Sequence, residues 1–198
     1  GGRVWPLTGI VFVTTKQDTH DVAETLNKRW ADCAKPFNSG LEWPRLKQTA
    51  HEWFDNKFQI IVATAAFGMG INKPDCRFVL HFCLPSSIEA YHQESGRCGR
   101  DGLPSCSVVM FRHEDVSRWI SKVLEGNEAS KADLLHLVTL LSSTVHCIRA
   151  RLLAYFGEVL VADSGAPSGG KDKGMAADSG ALRGRGTPRH CCSVCDSS

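Results

Sequence analysis

The sequence lacks a long apolar run, a dominant charge and any complete phosphate-holding loop. No stretch approaches the roughly 18 apolar residues that cross a bilayer. The opening residues, Gly1-Gly2-Arg3-Val4-Trp5, have no apolar core of the secretory kind. A soluble intracellular protein without a membrane partner is the expectation. The formal net charge is only +2 at pH 7 and the pI about 8.1, below the ~9 common among nucleic-acid-binding domains. Charge therefore permits a nucleic-acid partner without marking one. The pattern G-x-x-x-x-G-K-[ST] is missing: Gly169-Gly170-Lys171-Asp172 comes nearest, but it lacks the hydroxyl and follows no strand. An Asp-Glu-x-His metal-binding run is missing too.

What is present suffices for a folded domain with a small appendage. Hydrophobic residues make up 42% of the 198, enough for a core. Four apolar runs, Ile10 to Val13, Gln59 to Ala63, Phe78 to Phe82 and Ser107 to Phe111, read as short buried strands. Helical spacing of Val22, Ala23, Leu26 and Trp30 predicts a helix over Thr19 to Ala31. Leu46, Ala50, Trp53 and Phe54 predict another over Arg45 to Asn56. A third, capped by serine, is expected from about Ser87 to Glu94. Alternation of strands and helices is the rhythm of a parallel α/β sheet. Asp115 to Leu124 and Lys131 to Tyr155 read as wholly helical. Residues 161–189 are dominated by Gly, Ala, Ser and Asp and are expected to be a disordered insertion. The first strand follows so closely on a start without methionine that a fragment of a longer product is expected.

Of nine cysteines, Cys33, Cys76, Cys83, Cys98 and Cys106 are scattered singly and read as buried or free thiols. Cys147, Cys191, Cys192 and Cys195 are placed differently. The most informative stretch runs from Tyr91 to Gly102, where Arg97 and Arg100 stand among three glycines. Guanidinium stays charged and matches phosphate oxygens, so such a pair suits charge developing on a transferred phosphoryl group. The plainer reading pairs these arginines with Glu94 and Asp101 on a solvated loop. Upstream, a strand delivers Thr64 to its end, ahead of a Gly68-Met69-Gly70 turn. A hydroxyl and exposed amides there can meet a phosphate, although glycines also serve ordinary tight turns.

Together these stretches resemble motifs V and VI of the RecQ family of superfamily 2 DNA helicases, in the second RecA-like lobe. Ala63 to His81 is similar to the family run ATxAFGMGI(D/N)KPDVRFVIH, and Tyr91 to Ser105 to YYQExGRAGRDGLPS. Ile10 to Lys16 is similar to motif IV. Phe37 to Leu41 matches less well, with Asn38 where the family usually has histidine. The segment His146 to Glu158 resembles the family's CRRxxLLxYFGE helix. Cys192-Ser193-Val194-Cys195-Asp196-Ser197-Ser198 resembles its C-x-x-C-D-x-C run, with serine last.

The resemblance implies a RecA-like parallel sheet flanked by helices over residues 1–125, and a small helical zinc-binding subdomain. That subdomain would comprise 126–160 and 190–198, with 161–189 inserted between. Arg97 and Arg100 would face the γ-phosphate of ATP, Arg100 as the finger, with Gln93, Gly68 and Gly70 assisting. Thr64, Thr15 and Lys16 would contact DNA. Cys147, Cys192 and Cys195 would be three zinc ligands, the fourth coming from Cys191 or His190. Implied partners are single-stranded or forked DNA and an N-terminal RecA-like lobe, which would hold most of the ATP and its magnesium ion. The location would be nuclear in a eukaryote and cytoplasmic otherwise. Without the phosphate loop the chain is expected to be inactive alone. The competing expectation is a non-catalytic module that binds DNA or a helicase.

Overall fold

The computed structural model describes residues 7–65, 72–110, 128–142 and 147–158, together with 114, 117 and 120. Gly68 and Gly70, the segment 161–189 and the cysteines at 191, 192 and 195 lie outside the described residues. Of the helix read over 115–124, residues 117 and 120 are described, and both are helical. The chain divides into two compact units, Gly1–Leu137 and Val138–Ser198. Among the described residues, no helix is long and apolar enough to cross a membrane.

The first unit is built on a sheet of five parallel strands. In chain order its elements are β1 (Thr8–Phe12), α1 (Lys16–Arg29), β2 (Ala34–Phe37), α2 (Trp43–Phe54), β3 (Ile60–Ala63), β4 (Cys76–His81), α3 (Ile88–Ser95) and β5 (Cys106–Val109). The spatial order is β2-β3-β1-β4-β5, and every pairing is parallel. Parallel strands need crossovers, which the helices supply. β1 lies at the centre and is buried along its whole length, which is why Ile10 to Val13 reads as an unbroken apolar run.

Alternation along the strands divides the core between two faces. Ile10, Phe12, Ile61 and Ala63 cluster with Trp53 of α2 and with Phe58. Val11, Val13 and Val62 cluster instead with Ala23 of α1 and with Cys33 and Ala34. Successive strand residues point to opposite faces, so one strand serves both layers. Trp53 is fully buried, and its indole N–H donates to Gln59 O at 3.1 Å. Gly9 lets β4 approach: a Cβ there would come within 2.3 Å of the Phe78 ring.

The edge strand β2 went unread in the sequence because it is short and contains Pro36. Proline has no N–H for a ladder, and it is tolerated here because β2 has a single neighbour, β3. Asn27 of α1 secures this strand, exchanging hydrogen bonds of 2.9 Å with the Ala34 N–H and C=O. Asn38, just beyond β2, is 3% exposed. It donates to Thr19 Oγ1 at 2.7 Å and accepts from Gly40 N at 2.9 Å. It thus ties the loop after β2 to α1.

The second helical stretch differs from its sequence reading. Lys131 to Tyr155 is not one helix: α4 spans Glu128–Leu141 and α5 spans Ile148–Tyr155. Cys147 has an extended ψ of 120°. α4 ends at Leu141, with Ser142 already in a turn; a serine there competes for backbone groups and weakens a helix.

Core and cap residues should separate cleanly in urea unfolding. Trp53→Ala should lower stability by about 3–5 kcal/mol, whereas Thr15→Ala, which removes only a helix cap, should cost about 1 kcal/mol. Equal losses would contradict this description of the core.

Candidate functional site

The C-terminal ends of β1, β3 and β4 lie side by side, and the loops leaving them line a small open cleft of about 100 Å³. Thr14, Ala65, His81 and Glu94 are among its lining residues. Such an edge is where open α/β sheets receive ligands. Thr15 and Lys16 follow Thr14 directly, and Thr64 precedes Ala65. The structure therefore brings the expected Thr15 and Thr64 to one edge of the sheet.

Thr15 has a structural duty that the sequence reading missed. It is the N-cap of α1, its hydroxyl accepting from Asp18 N at 3.1 Å. The Asp18 carboxylate accepts from Thr15 N at 2.9 Å in return, completing a capping box. Lys16 is exposed, and its side chain lies beside Gly40, where a Cβ would meet Lys16 Cδ at 3.3 Å.

α3 begins at Ser87, whose hydroxyl accepts from Ala90 N at 3.1 Å, and it buries Ile88, Tyr91 and Glu94 along one face. Gln93 is exposed. His81 at the end of β4 is 1% exposed. Its ring stacks on Phe12 at 5.6 Å, and its Nε2 lies 3.0 Å from Glu94 Oε2. This buried imidazole and carboxylate join the cleft to the helix that leads into the arginine turn. The signal for them was slight: one histidine closing an apolar run, and one glutamate on a helix.

The arginine turn, Gly96 to Gly102, is pinned to β4. Gly99 N donates to Cys76 O at 2.9 Å and Gly102 N to Gly99 O at 3.0 Å. Gly99 has φ +69°, and a Cβ there would meet Ser105 Oγ at 2.2 Å. Only glycine fits both constraints. Arg77 of β4 then clamps the far side of the turn. Its guanidinium ion-pairs with Asp101 and donates to Pro104 O at 3.2 Å and Pro74 O at 3.1 Å. The Arg77 side chain holds the Asp101 carboxyl below the usual carboxylate range.

The two arginines part company. Arg97 is 8% exposed. Burial pulls its pKa down, the nearby Arg100 charge adds to this, and Glu94 opposes it. Arg100 is exposed, and its acceptors among the described residues are uncharged: Nε donates to Gly96 O and Nη1 to Asn72 Oδ1, each at 3.1 Å. The plainer expectation for these side chains therefore fails at Asp101, whose ion-pair partner is Arg77. Asn72 is followed in the chain by Lys73, which is 2% exposed. Lys73 Nζ donates to Asn56 Oδ1 at 2.9 Å and to Phe54 O at 3.2 Å, and pairs with Asp75 Oδ1 at 2.9 Å.

Residues 6–102 match the family described as helicase conserved C-terminal domain. The chain is 38% identical over 158 residues to the RecQ-like DNA helicase blm-1 of Caenorhabditis elegans, covering 77% of this chain and 16% of that protein. It is 36% identical over 154 residues to the ATP-dependent DNA helicase RecQ of Bacillus subtilis, covering 76% and 26%. The chain belongs to the RecQ helicase family, as a C-terminal lobe. This RecQ lobe spans about a quarter or less of the curated relatives it matches. Its fold is RecA-like. A DEAD box protein of Methanococcus jannaschii aligns with TM-score 0.51 at 24% identity, covering 61% of this chain and 34% of that one. The E. coli DEAD-box protein SrmB aligns with TM-score 0.52 at 20% identity, covering 62% and 71%.

Among the described residues, no group of three or more His, Cys, Asp or Glu side chains could hold a metal ion. Cys147 is half-buried at the start of α5. Its expected companions Cys192 and Cys195 lie outside the described residues.

The Asp101 clamp on the RecQ lobe gives a pH prediction. A carboxyl with a depressed folded pKa contributes stability above its ordinary value and loses it as pH falls through the depressed one. The Asp101 side-chain carbon resonance should titrate below the ordinary ~3.9, and Arg77→Met should raise its midpoint toward that value, the Leu103 N–H still donating to the carboxylate. An unchanged midpoint would remove Arg77 from this role.

Proposed function

We propose that this chain is the second motor lobe of an ATP-driven 3′ to 5′ DNA helicase, catalytically silent until a lobe bearing a phosphate loop joins it. The observation that carries this reading is the state of Arg100. Its guanidinium is exposed and, among the described residues, is hydrogen-bonded to the neutral acceptors Gly96 O and Asn72 Oδ1, on a turn fixed to the central sheet. It can exchange a backbone carbonyl and an amide oxygen for phosphate oxygens, with which its hydrogen bonds are charge-assisted and stronger.

ATP with magnesium, held mainly by the other lobe, supplies the phosphoryl group whose transfer drives the motor. The residues here fit part of that requirement. Arg100 meets the developing negative charge, and Arg97 supports it from beneath the surface with a positive potential. Gln93, one turn earlier and exposed, assists in orienting the nucleotide, a duty shared by Gly68 and Gly70. Thr15, Lys16 and Thr64 contact the phosphates of a single strand along the sheet edge. Glu94 and His81, lying between that edge and the turn, make DNA occupancy and nucleotide occupancy felt at a common element. Zinc fits less well. Cys147, Cys192 and Cys195 offer three thiolates where structural zinc takes four ligands, and Cys191 or His190 would have to complete the set. No step depends on it.

Two measurements test the reading. In a protein joining this lobe to its nucleotide-binding partner, Arg100→Ala should lower DNA-stimulated ATPase kcat by about 10³-fold or more with little change in ATP affinity. The chain alone should show no turnover. Robust turnover by the isolated chain, or a two-lobe variant as fast as the parent, contradicts the proposal. Single-stranded DNA should bind the lone lobe weakly, with log K falling against log salt at a slope of about −2 for some three phosphate contacts. Tight, salt-independent binding would be the opposing result.

A further inference from the structure

Among the described residues the most exposed large apolar side chain is Trp43, at 76%. It opens α2, and its indole has no hydrogen bond or ring contact among those residues. An indole left in water gives the fold nothing. Its mounting, by contrast, is firm. Leu46 N donates to Glu42 O at 3.0 Å and Leu41 N to Asn38 O at 3.1 Å. The buried Asn38 accepts from Gly40 N at 2.9 Å, and it reaches α1 at Thr19 Oγ1 and at Lys16 O, the latter at 3.4 Å. Pro44 follows Trp43 in the first turn of α2, its φ set by the ring. The loop from Asn38 to Glu42 leaves the C-terminal end of β2, where Phe37 stands opposite Ala63, so it rises from the same sheet edge as Thr64. Lys16 lies against this loop: a Cβ at Gly40 would be 3.7 Å from Lys16 Nζ. Trp43 is three residues further on, a reach of at most about 11 Å along the chain.

We propose that Trp43 is a stacking platform for a nucleobase of the single strand whose phosphates run past Lys16 and Thr64. The inference rests on the DNA-contacting edge proposed above and adds to it a contact with the base. An indole turns about two bonds only, so on a fixed loop it offers its face at little entropic cost. Every base has a π face to lay on it. The surroundings favour nucleic acid over a protein partner. Docking of an apolar protein surface takes a contiguous apolar patch, whereas Glu42, Arg45 and Lys47, close to Trp43 in the chain, are exposed and charged. Lys47, four residues on, shares the Trp43 face of α2. Lys16, Arg45 and Lys47 set three cations against the one carboxylate of Glu42, a local charge that suits a phosphate chain. Phosphate contacts hold the strand without reading its bases. The indole supplies a contact that salt does not screen, and it needs a base that is unpaired and free of its stack. Trp43 thereby makes this edge selective for single strands over duplex.

Anisotropy titrations of the full chain at two salt concentrations test this, with a fluorescein-labelled oligothymidylate, an abasic strand of the same length and the matching duplex. The parent should bind the oligothymidylate more tightly than either of the others. Trp43→Ala should weaken oligothymidylate binding by roughly 5- to 150-fold, with the abasic strand bound as before and the slope of log K against log salt unchanged. Trp43→Phe keeps a π face and should retain most of the affinity. Lys16→Ala should behave differently, weakening both strands alike and flattening the slope by about 0.7. The comparison of strands on the parent chain needs no variant, so it stands whatever a substitution does to folding. A parent that binds the oligothymidylate no better than the abasic strand, or a Trp43→Ala chain that binds it as the parent does, overturns the stacking role and leaves the phosphate-contacting edge in place. Binding to neither strand overturns both.

Discussion

The site depends on β4 holding the arginine turn. This strand gives the turn a carbonyl, Cys76 O, and a guanidinium, Arg77, so the turn is fixed at both its glycine bend and its acidic shoulder. Surface ion pairs ordinarily contribute little. Arg77 differs because it also donates to three carbonyls, of Pro74, Asp75 and Pro104, joining the loop before β4 to the segment before β5. The position of Arg100 is therefore inherited from the sheet, and the sheet in turn rests on a two-faced core around β1.

A second constraint acts between β4 and α3. His81 and Glu94 place a polar contact inside an otherwise apolar junction between β4 and α3, walled by Phe12 and Tyr91. The Glu94 carboxylate approaches His81 Nε2 to 3.0 Å without completing a hydrogen bond, and Glu94, Tyr91 and Ile88 form the face of α3 that is buried. The same face sets the direction in which the chain leaves α3, with Arg97 N bonded to Glu94 O at 3.2 Å. Arg97 turns inward and Arg100, three residues on, turns out. One arginine shapes the potential beneath the surface and the other is presented above it.

Much of this was readable from composition and spacing. β1, β3 and β4 show as apolar runs because strands buried on both faces admit few polar residues, and the Ser87 cap shows because its chemistry is local. β2 did not show, since Pro36 is acceptable only at an edge, and being an edge is a property of the whole sheet. The pause between α4 and α5 was hidden by apolar residues on both sides. The arginine pair was visible as a pair, but its division was not: that depends on the positive φ of Gly99 and on contacts made across the fold. Arg100 meets Asn72 from 28 residues away and Arg77 meets Asp101 from 24. Lys73, Arg77, His81 and Glu94 stand inside the family-like runs, but the duty of each is defined by a partner that only folding supplies.

The central claim is that Arg100 can leave its resting acceptors for a nucleotide while Arg97 stays within the lobe. A crystal structure of the two joined lobes with ADP and a metal fluoride that imitates the transferring phosphoryl group would test it most directly. The account predicts the Arg100 guanidinium at about 2.7–2.9 Å from a fluoride, its contact with Asn72 given up. Arg100 still bound to Asn72 and Gly96, with another cation on the fluoride, would contradict it.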